Sequence, residues 1–343
     1  MLLKKYVLLF SICLFINSCT NDCDNHFEGK PFNKEIIAFY PSWRMNKLPI
    51  KSIPWQHLTR IIYAFAAPLE NGSLETKQLK NSELLVKTAH KNGVEVYFAI
   101  GGGGGKSAHF PTIAIDPIKR KKFVKEIVKY TNLHCFDGVD IDWEYLSYGK
   151  STNIKQTEQE GLIALLSELR VALKPTKKTI SIDVYGSIWG GRFFLDRVVD
   201  HVDQVHIMAY DFSGKWSDPK PHSSIEQAFG TNRKNGPSGI YYWLNKRKWA
   251  RDKLFLGVPF YGRDFNHPKV KGVPYREIVK HNPDAVNLDR YNDIFYNGQK
   301  TMRHKAELVI QKKLPGVMIW ELTQDAKDDN SLLKVLSETL NPE

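Results

Sequence analysis

The chain has 343 residues, of which 42% are hydrophobic and 25% charged, enough apolar material for a real core in one large domain or two small ones and too much for a disordered chain. Its net charge of +12 suits an anionic surface or polymer. The lysines are dispersed over segments such as IKRKKFVKEIVK that read as solvated helix faces, and no nucleic-acid motif accompanies them, so nucleic-acid binding is set aside.

From the N-terminus, Lys4 and Lys5 precede the apolar run VLLFSICLFI, which is too short to span a bilayer and has the layout of a secretory signal. Residues 1–18 are therefore assigned to a signal peptide, 19–33 to a polar tether and 34–343 to the folded domain. Ile16-Asn17-Ser18-Cys19 resembles a bacterial lipoprotein processing site, which would make Cys19 a lipidated first residue; Asn17 is unusual there, and ordinary cleavage is the alternative. Such an anchor would be the only link to a membrane, placing the protein on the cell envelope or surface; otherwise it is secreted. Cys135 reads as a small core residue, and no disulfide framework emerges.

Eight short apolar runs follow: 35–40, 58–66, 94–100, 136–143, 179–185, 202–210, 253–260 and 316–322. Between most of them lie stretches with apolar residues three and four apart, among them SELLVKTAHKNG, DPIKRKKFVKEIVKYTN and EQEGLIALLSELRVALK, and a final helix over QDAKDDNSLLKVLSETL. Near-continuous apolar strands alternating with helices predict a parallel sheet, and eight of them predict a closed (β/α)8 barrel in a single domain. A doubly wound sheet would show a Gly-rich turn after the first strand, where this chain has YPSWRMNKLP. GGGGG (101–105) is in the wrong order for a dinucleotide fingerprint and reads as a ligand-side turn where the backbone passes something bulky. The longest gap, 264–314, is a modest insertion between the seventh and eighth strands.

The fourth run sets Asp140, Asp142 and Glu144 at alternate positions, with Val139, Ile141 and Trp143 between them. One face of that strand carries three carboxylates. Barrel active sites collect at the carboxyl ends of the strands, where Glu144 falls. Three ionised carboxylates in a low-dielectric interior repel, so at least one holds a proton and can act as a general acid for cleaving an acetal. A calcium-like cation, or a stripe facing solvent, would use the same residues.

Asp137, Asp140, Asp142 and Glu144 stand as DxxDxDxE, which resembles the fourth-strand signature of glycoside hydrolase family 18, the chitinases and their relatives. HIMAYDF (206–212), LGVPFYGR (256–263) and GVMIWEL (316–322) are similar to that family's sixth, seventh and eighth strands. AIGGGG matches its Gly pair at Gly101 and Gly102, with Ala99 where the family usually has Ser. The resemblance, over residues 35–340, implies retaining, substrate-assisted hydrolysis of β-1,4-linked N-acetylglucosamine chains, with no cofactor and no metal. Glu144 would protonate the leaving oxygen and later activate water. Asp142 would hold the acetamido N–H, with Asp140 sharing a proton beneath it. Tyr210 would bond the acetamido carbonyl, Asp211 would touch the sugar beside it, and Trp320 would form the floor, with Met208 facing the pocket or packing in the core. Aromatic side chains at strand ends suit sugar faces: Tyr40 and Trp216 first, then Phe65, Tyr145, Trp43 and Tyr261, with Trp189 after the fifth strand. Arg263 could bond a sugar hydroxyl or form a loop salt bridge.

In the family it resembles, exo-acting members carry a large insertion after the seventh strand; the shorter gap here therefore implies an open groove and endo action, and a monomer is expected. The alternatives are an endo-β-N-acetylglucosaminidase cutting N-glycan cores, a peptidoglycan-acting enzyme, and a lectin that binds chito-oligosaccharides without turnover. Trp143 favours a chitinase, and the presence of Glu144 argues against the lectin.

Overall fold

The computed structural model describes residue 29 and residues 31–147, 149–230 and 236–342. The leader, Cys19 and Cys23 lie outside these residues. Eight parallel strands follow in order: β1 (Glu35–Pro41), β2 (Arg60–Pro68), β3 (Glu95–Gly101), β4 (Gly138–Asp142), β5 (Thr179–Tyr185), β6 (Gln204–Met208), β7 (Leu254–Pro259) and β8 (Gly316–Trp320). Each pairs with the next, and β8 returns to β1 through the register Glu35↔Gly316 to Ala38↔Ile319, so the sheet closes into a barrel. The eight expected strands are all present.

Helices wrap the barrel where the sequence carries caps and an apolar stripe. Helix Pro117–Leu133 begins at Asp116, whose carboxylate accepts from the N–H groups of Ile118 and Lys119 at 2.9 and 3.1 Å, with proline at the first helical position. Helix Thr152–Leu173 is the longest outer element, while β5 and β6 are followed only by short helical turns. The last helix starts at Leu332, later than expected, because Ser331 caps it, accepting the Lys334 N–H at 3.0 Å, while Asp325 holds the N–H groups of Leu332 and Leu333. Among the described residues no helix is long and apolar enough to cross a membrane.

Strand pleat divides the side chains into two cores. Ile36, Ala38, Ile61, Val139, Ile141, Ile180 and Ile182 pack outward under the helices, while Ile37, Phe39, Ile62, Tyr97, Phe255 and Met318 point inward. Asp140 and Asp142 therefore face the barrel interior. The same pleat overturns one expectation: Tyr40 is an outward residue, fully buried, stacked on Tyr63 at 6.0 Å and donating its hydroxyl to the Leu48 carbonyl at 2.6 Å. It cannot face a sugar; its neighbour Phe39 is the inward residue.

Two further differences appear. Cys135 packs at the edge of the core as expected but is also disulfide-bonded. The insertion after β7 is a small antiparallel sheet of four strands, Tyr261–Asp264, Lys271–Pro274, Arg290–Tyr291 and Ile294–Phe295. At the opposite end of the barrel, buried Arg60 ties Glu95, Glu35 and Gln204 together beneath Tyr97.

Candidate active site

The carboxylates of β4 climb the barrel interior. Asp140 is fully buried; the Ser181 hydroxyl on β5 donates to its Oδ1 at 2.5 Å. Asp142 lies above it, 4% exposed, and its carbonyl accepts the Gly102 N–H at 2.7 Å. Glu144 follows in the turn after the strand. Its N–H donates to Ser107 Oγ at 3.0 Å, and that hydroxyl lies 3.0 Å from the carbonyls of both Gly102 and Asp142. The glycine loop is thus tied to the acidic strand by one buried serine that the sequence reading did not single out. Asp137, the first acid of the motif, faces elsewhere: it bonds His90 and the Val96 N–H, both at 2.8 Å, at the base of the barrel wall.

Two glycines are required by close approach. A Cβ on Gly101 would lie 2.1 Å from the Asp142 carbonyl, and one on Gly102 2.7 Å from the Phe65 ring, both with positive φ. Gly102→Ala should therefore destabilise the fold by about 2 kcal/mol, through strain and overpacking together. A melting-temperature fall of about 4 °C is expected, and an unchanged value would contradict the crowding argument.

Burial and charge pull the carboxyl groups apart. Burial pushes Glu144 up to about 7; the nearby Asp211 charge adds to this, while bonds to Tyr145 and the Gly103 backbone oppose it. Asp142 is pushed well up, chiefly by burial and then by Glu144, Asp183 and Asp140. Asp211 moves the other way. Burial would raise it, but hydrogen bonding to His222 and the charge of Arg263 bring it down to about 2. A carboxyl that keeps its proton near neutral pH thus stands beside one that stays ionised, the pairing needed to separate an acid from a charge stabiliser.

Asp211 is held by the insertion sheet. Tyr261 donates its hydroxyl to Oδ1 at 2.8 Å, and Arg263 pairs with both oxygens. Of the two roles expected for Arg263, the salt bridge is the one seen. Because Asp211's folded value is depressed, the stability it supplies is present above the ordinary carboxylate range and is lost as pH falls toward 2. Arg263→Ala should lower the melting temperature at pH 7, with the deficit shrinking as pH falls below about 4. A pH-independent deficit would contradict the linkage.

Aromatic rings line the mouth. Half-exposed Trp43 stacks on Phe65 at 6.1 Å, Phe65 stacks on Trp320 at 5.9 Å, and Phe39 meets Trp320 edge-on at 5.3 Å. Phe65 is only 5% exposed, so it supports the two indoles from between them and presents no open face. Tyr210, Met208 and Trp320 lie together on the interior cluster, and Tyr145 stacks on Tyr185 at 5.8 Å beside Glu144. Trp216 packs over Gly214 at the rim, and Trp189 is half-exposed against Phe193.

The site also contains residues that the sequence reading did not select. Asp183 on β5 and His206 on β6 lie beneath Asp142 beside Asp140, and burial followed by the charge of Asp140 pushes Asp183 well up. The signal for Asp183 is the alternation of Ser181 and Asp183 in TISIDVY, the same pattern as in β4. His222 was visible only through its distant contact with Asp211.

The family model described as glycosyl hydrolases family 18 matches residues 35–325. A chitinase-like effector from Moniliophthora roreri is 31% identical over 276 residues, covering 75% of this chain and 67% of that protein. The chain is also similar to the crystal structure of a GH18 chitinase from the chitin utilization locus of Flavobacterium johnsoniae, at 27% identity and TM-score 0.76 over 90% of this chain and 94% of that one. A chitinase structure from Bacteroides thetaiotaomicron gives 26% identity and TM-score 0.78 over 90% and 96%.

Proposed function

Because the chain belongs to glycosyl hydrolases family 18 and is a glycoside hydrolase, we propose that it cleaves β-1,4-linked N-acetylglucosamine chains by an endo-acting, retaining, substrate-assisted mechanism. The observation that carries this reading is Glu144, a carboxyl pushed up to about 7, set over the buried Asp142 and Asp140 and within electrostatic reach of Tyr210. Glu144 donates its proton to the glycosidic oxygen as the substrate's acetamido oxygen attacks the anomeric carbon. Asp142 accepts the acetamido N–H and offsets the charge of the cyclic intermediate, and Tyr210 donates to the acetamido carbonyl. The Glu144 carboxylate then takes a proton from the incoming water, whose oxygen opens the intermediate with net retention. Asp211, kept anionic by Arg263, bonds a hydroxyl of the same sugar.

The short strands of the insertion, two to four residues each, support an open groove and internal cleavage. Mass spectrometry of products from chitohexaose and, separately, from a high-mannose glycopeptide tests the reading. Dimers and trimers from chitohexaose are expected. Release of glycan leaving one sugar on the peptide would instead indicate an endo-β-N-acetylglucosaminidase, and turnover of neither would point to a binding protein or a peptidoglycan substrate.

The protein is further proposed to be exported and lipid-anchored through Cys19, in keeping with the leader pattern and with a disulfide at Cys135, which suits an oxidising compartment. Cys19→Ala should move it from the membrane fraction to the soluble fraction. Unchanged partitioning would exclude the anchor.

A further inference from the structure

Below Asp142 the barrel holds polar atoms that ordinary packing does not explain. Among the described residues, both carboxylate oxygens of Asp183, both ring nitrogens of His206 and Oδ2 of Asp140 are buried without a well-formed hydrogen bond, although Asp183 and Asp140 lie close enough to share one. His206 Nδ1 lies 3.3 Å from Asp140 Oδ1 and 3.5 Å from Asp183 Oδ1, with all three side chains 0–1% exposed. The cluster sits on three adjacent strands, β4, β5 and β6, and is walled by apolar groups. Phe39 and Phe255 meet the His206 ring edge-on at 6.5 and 5.7 Å. Ala99, opposite Asp140 in register, brings no hydroxyl from β3; among the described residues the hydroxyl on Asp140 is that of Ser181.

Leaving so many buried groups short of partners costs stability, so their retention calls for an explanation. Protons supply one. A carboxyl proton on Asp183 and an N–H on His206 are two donors facing three carboxylate oxygens, and a proton passing between Asp183 and Asp140 leaves the total unchanged. We propose that Asp183 and His206 are positioning residues that share protons with Asp140 and so set the charge carried beneath Asp142 and Glu144 during turnover. The proposal rests on the hydrolytic reading of the site.

The ionisable surroundings are defined. Asp142 and Glu144 stand above on the β4 side, and Tyr210, which feels the charges of Asp183, Asp142 and Glu144, above on the β6 side. Toward the floor lie Tyr97 and Arg60 with Glu95 and Glu35. Among the described residues, the inward side chains of β1, β7 and β8 in the interior cluster are apolar, Phe39, Phe255 and Met318 among them.

The test is the pH dependence of kcat/KM on chitohexaose for wild type, Asp183→Asn and His206→Phe. Asp183→Asn keeps the shape and removes a carboxylate, so the remaining acids ionise more readily and the acid limb should move down by about one pH unit. His206→Phe keeps the ring contacts and removes the N–H that faces two carboxylates, so their ionised forms lose support and the limb should move up by a similar amount. A merely structural role would lower activity without these opposed shifts.

A second readout does not require turnover. Asp183's folded value is raised, so the stability it supplies is present below the ordinary carboxylate range and is lost as pH rises through the raised value. The melting temperature of Asp183→Asn relative to wild type should therefore climb between pH 4 and pH 9. An unmoved acid limb, a flat melting difference, or activity that falls on chelation and returns with zinc(II) would overturn the proposal. If wild type fails to cleave chitohexaose, the functional reading fails by itself and the melting comparison still decides the cluster.

Discussion

Glu144→Gln is expected to lower kcat on chitohexaose by about 10³-fold while leaving oligosaccharide affinity within a few-fold of wild type. The side chain keeps its size and loses only the transferable proton. Its contacts with the Gly103 backbone and Tyr145 are polar and open to an amide, and the Glu144 N–H bond to Ser107 is untouched because it comes from the backbone. Binding rests on the aromatic mouth and on Asp211, so it survives. Single-turnover kinetics together with calorimetric titration separate the two effects. Turnover within tenfold of wild type would remove Glu144 from the role of acid.

Asp142→Asn should lower kcat by about 10²-fold with a smaller effect on KM, because the lost interaction is with charge that develops only in the transition state. A second consequence follows from the coupling of the two acids. Asp142 is pushed up by burial and then by Glu144. With asparagine in its place, Glu144 titrates without an ionisable group directly beneath it. The charge that adds to Glu144's raised value is that of Asp211, and Asp142 is itself pushed up by Glu144, so the alkaline limb should stay in place near 7. An alkaline limb that moves to lower pH after this change would show that Asp142 carries charge while Glu144 titrates and would contradict this order of ionisation.

The barrel strands were legible because each is an apolar run bounded by turns, and the acidic stripe because only β4 alternates charge with large apolar groups. Tyr40 was misplaced for the same physical reason that made β1 visible. A strand buried on both faces has no polar face to set its register, so nothing local tells Tyr40 from Phe39. Asp183 and His206 needed the third dimension: each alternates with an uncharged polar residue, Ser181 or Gln204, in a strand that otherwise reads as apolar, and only strand adjacency brings them to Asp140. The Asp211–Arg263 pair joins residues 52 apart in sequence, one of them on an insertion strand of four residues, too short to show a period. The aromatic reading at strand ends found Trp43, and the family resemblance supplied Trp320, but neither could tell an open ring from Phe65 wedged between them.

Proton NMR of the product anomer in the first minutes of chitohexaose cleavage, before mutarotation, tests the central claim most directly. Substrate-assisted attack under Glu144 predicts newly formed reducing ends in the β configuration. Initial formation of the α anomer would mean direct displacement by water and would contradict the mechanism.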